Sequence, residues 1–176
     1  MGDSDGMAAR IPERIGWAVE TLAVRPADSV LEVGCGKGLA VSLIVPQLKS
    51  GRILAIDRSA TAIAATGKGD QETVGKALFR HAALADLDGT EGPFDKIFAI
   101  NVNLFWTDPK NELPVVRKLL KKTGRLYLFY EPPAAAQRER ITRLINEKLA
   151  GSGLTVVTSV QKDGDTPLLC LTCGLF

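Results

Sequence analysis

Two carboxylates and a cluster of glycines lie close together in the first third of the chain, at spacings that suit ligand binding. The segment VLEVGCGKG runs from Val30 to Gly38, with Glu32 just before its glycines, and the next apolar run, RILAID, ends at Asp57. This pattern predicts a buried strand, a glycine turn, a helix and a second strand that ends in a carboxylate. Such a βαβ unit binds a nucleoside-bearing cofactor at the carboxyl ends of its strands, because glycines let the backbone approach the ligand.

The positions of the two carboxylates indicate which cofactor this is. Asp57, at the tip of the second strand, can accept hydrogen bonds from both hydroxyls of a ribose. The nicotinamide fingerprint G-x-G-x-x-G fits poorly, since Gly38 comes one place early and Leu39 takes the position of the third glycine. Glu32 would also repel a pyrophosphate, whereas it suits the ammonium and sulfonium of S-adenosylmethionine.

With these residues in place, the sequence resembles the class I S-adenosylmethionine-dependent methyltransferases. Their first motif typically reads Val or Leu, Leu, Asp or Glu, Val or Leu, and then Gly-x-Gly-x-Gly, and VLEVGCGKG matches it at every fixed position. FDKIFAIN as a fourth strand and GRLYLFYEP as a fifth extend the likeness from about Trp17 to the end of the sequence. The resemblance implies an α/β fold in three layers. Its doubly wound, seven-stranded and mostly parallel sheet would have the order 3-2-1-4-5-7-6, with strand 7 antiparallel.

The resemblance also bears on the adenine side of the cofactor. In many related methyltransferases, the loop after the third strand carries an Asp that receives the adenine amino group. Aligning the Asp-Leu at Asp86 with the family's following Asp-Leu places Ala83 where that Asp should be. The backbone of Ala83 and Leu84 could still contact the ring. Asp86 substitutes for the missing carboxylate, caps a helix or faces solvent. Arg58 either stacks its planar guanidinium on adenine or points to solvent.

The loops after the fourth and fifth strands are expected to face the methyl acceptor. Asn101, at the tip of the fourth strand, could offer its backbone carbonyl to the cofactor ammonium, and Asn103 could orient a substrate hydroxyl or amine. Phe105 and Trp106 either form an apolar wall or pack beneath the following helix. The predicted cofactor-binding residues are Glu32, Gly34, Cys35, Gly36, Asp57, Arg58, Ala83, Leu84, Asp86 and Asn101, and the candidates on the acceptor side are Asn103, Trp106, Tyr130 and Glu131.

No catalytic residue is identified among these candidates. The sulfonium makes the methyl group electrophilic, so transfer needs mainly positioning, and a base only when the nucleophile arrives protonated. Tyr130 and Glu131 are possible proton acceptors at the cleft. His81, the single histidine, is expected on the cofactor side with a structural role.

Composition and charge exclude several classes of protein. The chain has 176 residues, 45% of them hydrophobic, and 22 Lys and Arg against 20 Asp and Glu give a net charge of +2. Neither nucleic acid nor membrane is indicated as a partner by so small a charge, and no apolar stretch reaches the roughly 20 residues of a membrane span. We expect a flexible leader over residues 1–10 and one domain over residues 11–176.

The three cysteines predict neither a disulfide framework nor a metal site. Cys35 lies in the glycine turn as a small residue. Cys170 and Cys173 form a CxxC, but they fall in a predicted strand, where positions three apart point to opposite faces. Few cysteines without a pairing pattern fit a reducing, cytoplasmic location.

Hydrophobic periodicity predicts alternating helices and strands, followed by a hairpin. The predicted helices cover residues 11–22, 39–48, 60–66, 71–78, 109–121 and 133–150. The predicted strands cover residues 29–33, 51–56, 77–81, 94–101, 125–130, 154–160 and 167–176.

The function favoured by the sequence is methyl transfer from S-adenosylmethionine to a small-molecule acceptor. Two alternatives stay open: a methyltransferase that acts on a macromolecule, either protein or RNA, and a non-catalytic S-adenosylmethionine-binding or scaffold protein. The segments that usually cover the acceptor are short here. The cleft is therefore either open or completed by the leader, by a second subunit in a homodimer or by another partner.

Overall fold

The apolar runs of the sequence form the inner strands of one sheet, and these strands are buried on both faces. The computed structural model describes residues 11–67 and 73–176. The strands are β1 Ser29–Val33, β2 Arg52–Asp57, β3 Thr73–Val74, β4 Ala77–His81, β5 Phe94–Ile100, β6 Leu120–Tyr130, β7 Leu154–Lys162 and β8 Leu168–Leu175. The helices are α1 Glu13–Leu22, α2 Leu39–Ile44, α3 Ala60–Ala65, α4 Leu104–Thr107, α5 Glu112–Leu119 and α6 Gln137–Leu149.

The sheet has the order β3-β4-β2-β1-β5-β6-β8-β7. Without the short β3, this is the predicted order 3-2-1-4-5-7-6, which is confirmed. Strands β4, β2, β1, β5 and β6 are parallel, and β8 runs antiparallel to both β6 and β7. The carboxyl ends of the parallel strands therefore meet at one edge, where ligands bind in such sheets.

Two separate cores lie on the two faces of the sheet. Helices α1, α2 and α3 cover one face, and α4, α5 and α6 cover the other. Neighbouring strand residues alternate between them, as Val30 and Leu31 do, because successive side chains in a strand point to opposite faces. Cys170 and Cys173 also lie in different cores, which confirms their predicted orientation. In the described ranges, no group of His, Cys, Asp and Glu is arranged to hold a metal ion.

The predicted helix over residues 71–78 is wrong. Thr73–Val74 forms β3, which pairs antiparallel with β4, and residues 71 and 72 lie outside the described ranges. The two-residue turn between the strands begins at Gly75, whose φ of +61° is the conformation that a type II′ hairpin turn requires of its first residue. The glycine thus favours a hairpin over a helix at this point.

Several other boundaries differ from the predictions for local reasons. The helix predicted from residue 109 begins at Glu112, after the separate short helix α4. It ends at Leu119, because Leu120 already pairs with Phe94 as the first residue of β6. The helix predicted from residue 133 begins four residues later, at Gln137, after the turn that follows two prolines.

Two other expectations concern the chain ends and membranes. The predicted leader, residues 1–10, lies outside the described ranges. Within those ranges, none of the helices has the length and apolar character needed to cross a membrane.

Candidate active site

The glycine turn is held by backbone hydrogen bonds to the end of β2. The N–H groups of Gly34 and Cys35 donate to the carbonyl oxygen of Ile56, at 2.8 and 3.0 Å. Gly34 and Gly36 have φ angles of +76° and +52°, which side chains with a Cβ rarely adopt. A Cβ at Gly34 would lie 2.7 Å from Cγ2 of Val102, so this glycine also permits a close approach to the loop after β5.

Asp57 links the turn to the helix that follows β2. Its Oδ2 accepts the N–H of Gly36 at 2.9 Å, and its Oδ1 accepts the N–H of Ser59 at 2.8 Å. Ser59 in turn caps α3 by accepting the N–H of Ala62, as its residue type predicts. Because each carboxylate oxygen has two acceptor positions, both oxygens of Asp57 retain one for a ligand.

A cavity of about 470 Å³ opens at this edge of the sheet, and we call it the cofactor cavity. It brings together residues from the ends of β1, β2, β4 and β5 and from the segment that follows β5. Its walls are formed by Val33, Gly34, Ile56, Asp57, Arg58, Ala82, Ala83, Leu84, Ile100, Asn101, Val102, Asn103, Leu104, Thr107 and Glu112.

Glu32 lies beneath the glycine turn, buried, and is not part of the wall of the cofactor cavity. Its Oε2 has no hydrogen-bond partner among the described residues. Burial and, to a smaller extent, the charge of Asp57 raise the pKa of Glu32 to about 8. The neighbouring Cys35 thiol has its pKa raised to about 12, first by burial and then by Glu32 and Asp57, so it is an inert thiol.

Of the residues predicted to lie on the adenine side, three line the cofactor cavity and one does not. Ala83, Leu84 and Arg58 line the cofactor cavity, whereas Asp86 does not. Its Oδ2 accepts the N–H of Ala83 at 3.0 Å, so Asp86 caps the short turn in which it lies. His81, at the end of β4, makes a contact of 3.2 Å between its Nε2 and the carbonyl oxygen of Arg58.

Asn101 forms part of the cofactor cavity and of a second, neighbouring cavity. It has a φ of +55°, which is uncommon for a residue with a side chain and marks functional sites more often than other places. Its Oδ1 accepts the N–H of Glu131 at 2.8 Å, and its own N–H donates to Phe129 at 2.8 Å. These bonds join the ends of β5 and β6. Asn103 also contacts both cavities, and its side-chain amide has no hydrogen bond within the described ranges.

The second cavity, of about 430 Å³, is called the acceptor cavity. It lies between the loops after β5 and β6 and the start of α6, as expected for the acceptor side. Its walls are formed by Asn101, Asn103, Trp106, Tyr130, Glu131, Pro132, Pro133, Gln137, Arg140 and Ile141. All four acceptor-side candidates, Asn103, Trp106, Tyr130 and Glu131, are therefore brought together here.

Two buried hydrogen-bond donors at the acceptor cavity lack partners. Nε1 of Trp106 and the hydroxyl of Tyr130 are both shielded from solvent and unpaired among the described residues. Burial raises the pKa of Tyr130 above its usual range, with a smaller contribution from Cys173. Glu131 forms an ion pair with Arg14 of α1, in which its Oε2 lies 3.1 Å from Nη1 of the arginine. The aromatic ring of Phe105 is buried in the core below, so only Trp106 of this pair reaches the cavity.

Some wall residues were not identified from the sequence. Val102, Thr107 and Glu112 line the cofactor cavity, and Gln137 and Arg140 line the acceptor cavity. Each belongs to a segment whose position depends on how α4, α5 and α6 pack on the sheet. Glu112 carried one signal only, an acidic residue in the first turn of a helix, which is equally typical of a residue that interacts with the helix dipole.

Comparisons with known proteins agree with this geometry. A family model described as a methyltransferase domain matches residues 31–126. The chain belongs to the methyltransferase domain family. This match begins within β1 and includes the glycine turn, β2 and β5. It confirms the class I S-adenosylmethionine-dependent methyltransferase resemblance together with the cofactor.

Individual relatives are distant. The chain is 21% identical to YrhH of Bacillus subtilis, a protein named as a methyltransferase, over 74% of this chain and 72% of the relative. It is 29% identical to a protein-L-isoaspartate O-methyltransferase of Methylorubrum populi, over 78% of this chain, and spans 61% of the length of that relative. The solved structure of 1,6-didemethyltoxoflavin-N1-methyltransferase from Burkholderia thailandensis superposes with a TM-score of 0.64 at 20% identity, over 93% of this chain and 77% of that one.

The cofactor cavity fits S-adenosylmethionine on structural grounds. A Cβ built at Gly36 would meet nothing within 4 Å, so the turn leaves open space beside its backbone. The carboxylate of Asp57 lines the cavity and has free acceptor positions. Such an arrangement suits a ligand that offers ribose hydroxyls beside an open glycine turn.

Proposed function

We propose that the chain transfers the methyl group of S-adenosylmethionine to a small anionic molecule that binds in the acceptor cavity. The observation that carries this proposal is the shared wall: Asn101 and Asn103 contact both cavities. A cavity of about 430 Å³ is within the usual range for small-molecule sites. The acceptor would thus lie beside the cofactor without any need for a macromolecular surface.

On the cofactor side, Asp57 would hold the ribose hydroxyls and the carbonyl of Asn101 would face the ammonium. Arg58, Ala83 and Leu84 would surround the adenine. When bound, S-adenosylmethionine supplies an electrophilic methyl group on its sulfonium. The contribution of the protein is therefore to bring the acceptor into line and to exclude water.

On the acceptor side, a charged side chain favours a ligand that carries negative charge. Arg140 contributes a guanidinium with no ion-pair partner in the described ranges. A guanidinium binds carboxylate and phosphate groups through paired hydrogen bonds. Trp106 and Tyr130 are wall residues of the same cavity, and their Nε1 and hydroxyl are shielded from solvent when it is empty.

Neither of the two side chains predicted as proton acceptors is free for that role. Burial raises the pKa of Tyr130 above its usual range, so its hydroxyl stays protonated at neutral pH. The carboxylate of Glu131 is held in an ion pair with Arg14 at 3.1 Å. An acceptor that arrives deprotonated needs no base, so an anionic nucleophile suits the site.

The similar proteins include enzymes named for small-molecule acceptors and enzymes named for macromolecular ones. The Burkholderia enzyme acts, by its name, on a small heterocycle, and the isoaspartate O-methyltransferases act on protein. The bounded acceptor cavity supports the first kind.

The test is a methyl-transfer screen with labelled S-adenosylmethionine against metabolites separated into acidic, neutral and basic fractions, with protein and RNA fractions in parallel. We expect label in the acidic small-molecule fraction. Once that acceptor is purified, Arg140→Gln should raise its KM about tenfold, whereas Arg143→Gln, a matched change at an exposed position of the same helix, should not.

Label found only in protein or RNA would overturn the small-molecule proposal. Tight binding of S-adenosylhomocysteine without transfer to any fraction would favour the non-catalytic alternative. The homodimer and the cytoplasmic location stay predictions, which light scattering on the purified protein and fractionation of cells would check.

A further inference from the structure

The edge of the sheet opposite the two cavities carries an excess of positive charge. We call it the amino edge, because strands β4, β2, β1, β5 and β6 begin there. Lysines and arginines that form no ion pair within the described ranges lie just before these strands or in their first halves. We call them the basic row, and they are Arg25, Lys49, Arg52, Lys76, Lys122 and Arg125.

The carboxylates of the amino edge interact with other cations. Their ion pairs are Asp28 with Lys96 at 3.6 Å, Asp95 with Lys121 at 2.8 Å and Glu91 with Arg80 at 2.7 Å. Lys118 donates to the carbonyl oxygen of Asp88. In the described part of the chain, the charge of the basic row is therefore not offset locally. The net charge of +2 does not show this, because other carboxylates, such as Asp57 and Glu131, lie at the opposite edge.

Backbone hydrogen bonds bring the first members of the basic row together. The N–H of Lys49 donates to the carbonyl oxygen of Pro26 at 2.7 Å, which places Lys49 beside Arg25. The ammonium of Lys76 donates to the carbonyl oxygen of Leu48, the residue before Lys49. The turns before β1, β2 and β4 thus present their cations side by side.

Two guanidinium groups of the basic row are held by backbone carbonyls. Nη2 of Arg52 donates to the carbonyl oxygen of Glu91 at 3.1 Å, and Nη1 of Arg125 donates to that of Gly124 at 2.9 Å. Lys76 precedes β4, and Arg125 lies in β6, four strand spacings away in the sheet. At about 4.8 Å per spacing, the basic row extends over about 19 Å.

A row of this length suits a polymer that repeats its negative charge, as nucleic acid does through its phosphates. An aromatic ring is also available for stacking on a base. Phe176 is 82% exposed, and it follows Gly174, where a Cβ would lie 3.4 Å from Cζ of Arg125. A membrane surface would instead require a group of apolar side chains on this edge. The other exposed large apolar residues lie away from it, and they are Ile11, Leu39, Val157 and Val160.

We propose that the amino edge binds single-stranded nucleic acid through the basic row, with Phe176 stacking on a base. The bound strand is not the methyl acceptor, because the amino edge lies across the sheet from both cavities. Nucleic acid binding is therefore a second activity, separate from the proposed methyl transfer.

Fluorescence anisotropy of a labelled oligouridylate of about 12 nucleotides tests binding to the purified full chain. With three or four phosphates contacted, affinity should fall roughly 20- to 50-fold between about 50 and about 200 mM salt. The triple variant Arg25→Gln, Lys49→Gln, Lys122→Gln changes only exposed side chains. Its affinity should be about tenfold or more below that of the wild type at the lower salt concentration, and its salt dependence should be weaker.

The matched control is the triple variant Lys110→Gln, Arg143→Gln, Lys162→Gln, which lowers the net charge equally at positions away from the amino edge. It should bind within about twofold of the wild type, since the ion pairs that it breaks are exposed. Equal losses in the two triple variants, or no binding at the lower salt concentration, would overturn the proposal. Unfolding curves check that both variants are folded.

Two further measurements test the choice of nucleic acid. Phe176→Ala should weaken oligouridylate binding about fivefold or more but leave binding to heparin, a polyanion without bases, unchanged. No effect on the oligouridylate would overturn the assignment to nucleic acid, as would tighter binding to phosphatidylserine vesicles. None of these variants alters a wall residue of either cavity, so their results do not bear on the proposed methyl transfer.

Discussion

The carboxyl edge of the sheet has two parts, the cofactor edge around the cofactor cavity and the acceptor edge around the acceptor cavity, and they are built in different ways. At the cofactor edge, consecutive backbone groups of the glycine turn bond to β2 and to Asp57, so the local sequence determines the shape. At the acceptor edge, the wall comes from side chains of α4, β6 and α6, with α1 attached through the ion pair of Arg14 and Glu131. A backbone-built site is rigid and tolerates few changes, whereas a side-chain-built site can change its ligand through single substitutions.

The strongest test of the cofactor edge is Gly34→Ala. The left-handed φ costs about 1–2 kcal/mol for a residue with a Cβ, and the clash with Val102 about 1–3 kcal/mol more, so stability should fall by about 2–5 kcal/mol. Denaturant unfolding measures this. The double variant with Val102→Ala should recover the part due to the clash only.

Gly16→Ala is the matched control, because a Cβ at Gly16 in α1 meets nothing within 4 Å. It should leave stability unchanged or slightly higher. Equal behaviour of the two glycine variants would show that the turn is not rigid in the way described.

Glu32→Gln tests the charge buried beneath the turn. Because burial raises the pKa of Glu32 from 4.5 to about 8, the wild type should be most stable below pH 4.5 in this respect and lose stability as the pH rises through 8. The loss should be on the order of 2–4 kcal/mol, and the variant should lack it. Unfolding at pH 5 and pH 9 gives the comparison, and parallel losses in both proteins would contradict it.

Asp57→Ala tests the ligand contact of the same edge. Loss of a charge-assisted contact to the ribose is worth roughly 1.5–3 kcal/mol, so affinity for S-adenosylhomocysteine should fall about tenfold or more. Calorimetry measures the affinity, and far-ultraviolet circular dichroism checks the fold. An unchanged dissociation constant would assign the ribose to another residue.

Asn103→Ala tests the acceptor edge, with the smallest expected effect. Turnover should fall about tenfold while affinity for S-adenosylhomocysteine stays nearly the same, because on the proposed arrangement the side chain of Asn103 would position the acceptor, and it holds no part of the turn. Asn146→Ala, on the exposed side of α6, is the control and should keep full turnover. Loss of cofactor affinity in Asn103→Ala would remove the distinction between the two edges.

The difference between the cofactor edge and the acceptor edge also explains which site residues could be predicted from the sequence. Asp57 and Gly34 were found because their roles depend on neighbours within a single βαβ unit. Glu112 and Arg140 were missed because helix packing, which leaves no local pattern, brings them to the cavities. Asp86 follows β4, as the alignment predicts. Its side chain, however, accepts a hydrogen bond from the N–H of Ala83 within its own turn. At residues 73–78, the spacing of the apolar residues was interpreted as helical, whereas Gly75 determines a hairpin turn there.

The double position of Asn101 has a consequence for the order of binding. Its side chain holds Glu131, and the residue belongs to the walls of both cavities, so a shift at residue 101 would alter both. Thermodynamic linkage then requires reciprocity: if bound S-adenosylhomocysteine changes the affinity of the acceptor by some factor, the acceptor changes that of S-adenosylhomocysteine by the same factor. With the two ligands placed as proposed, product inhibition and acceptor binding would be coupled through this one residue.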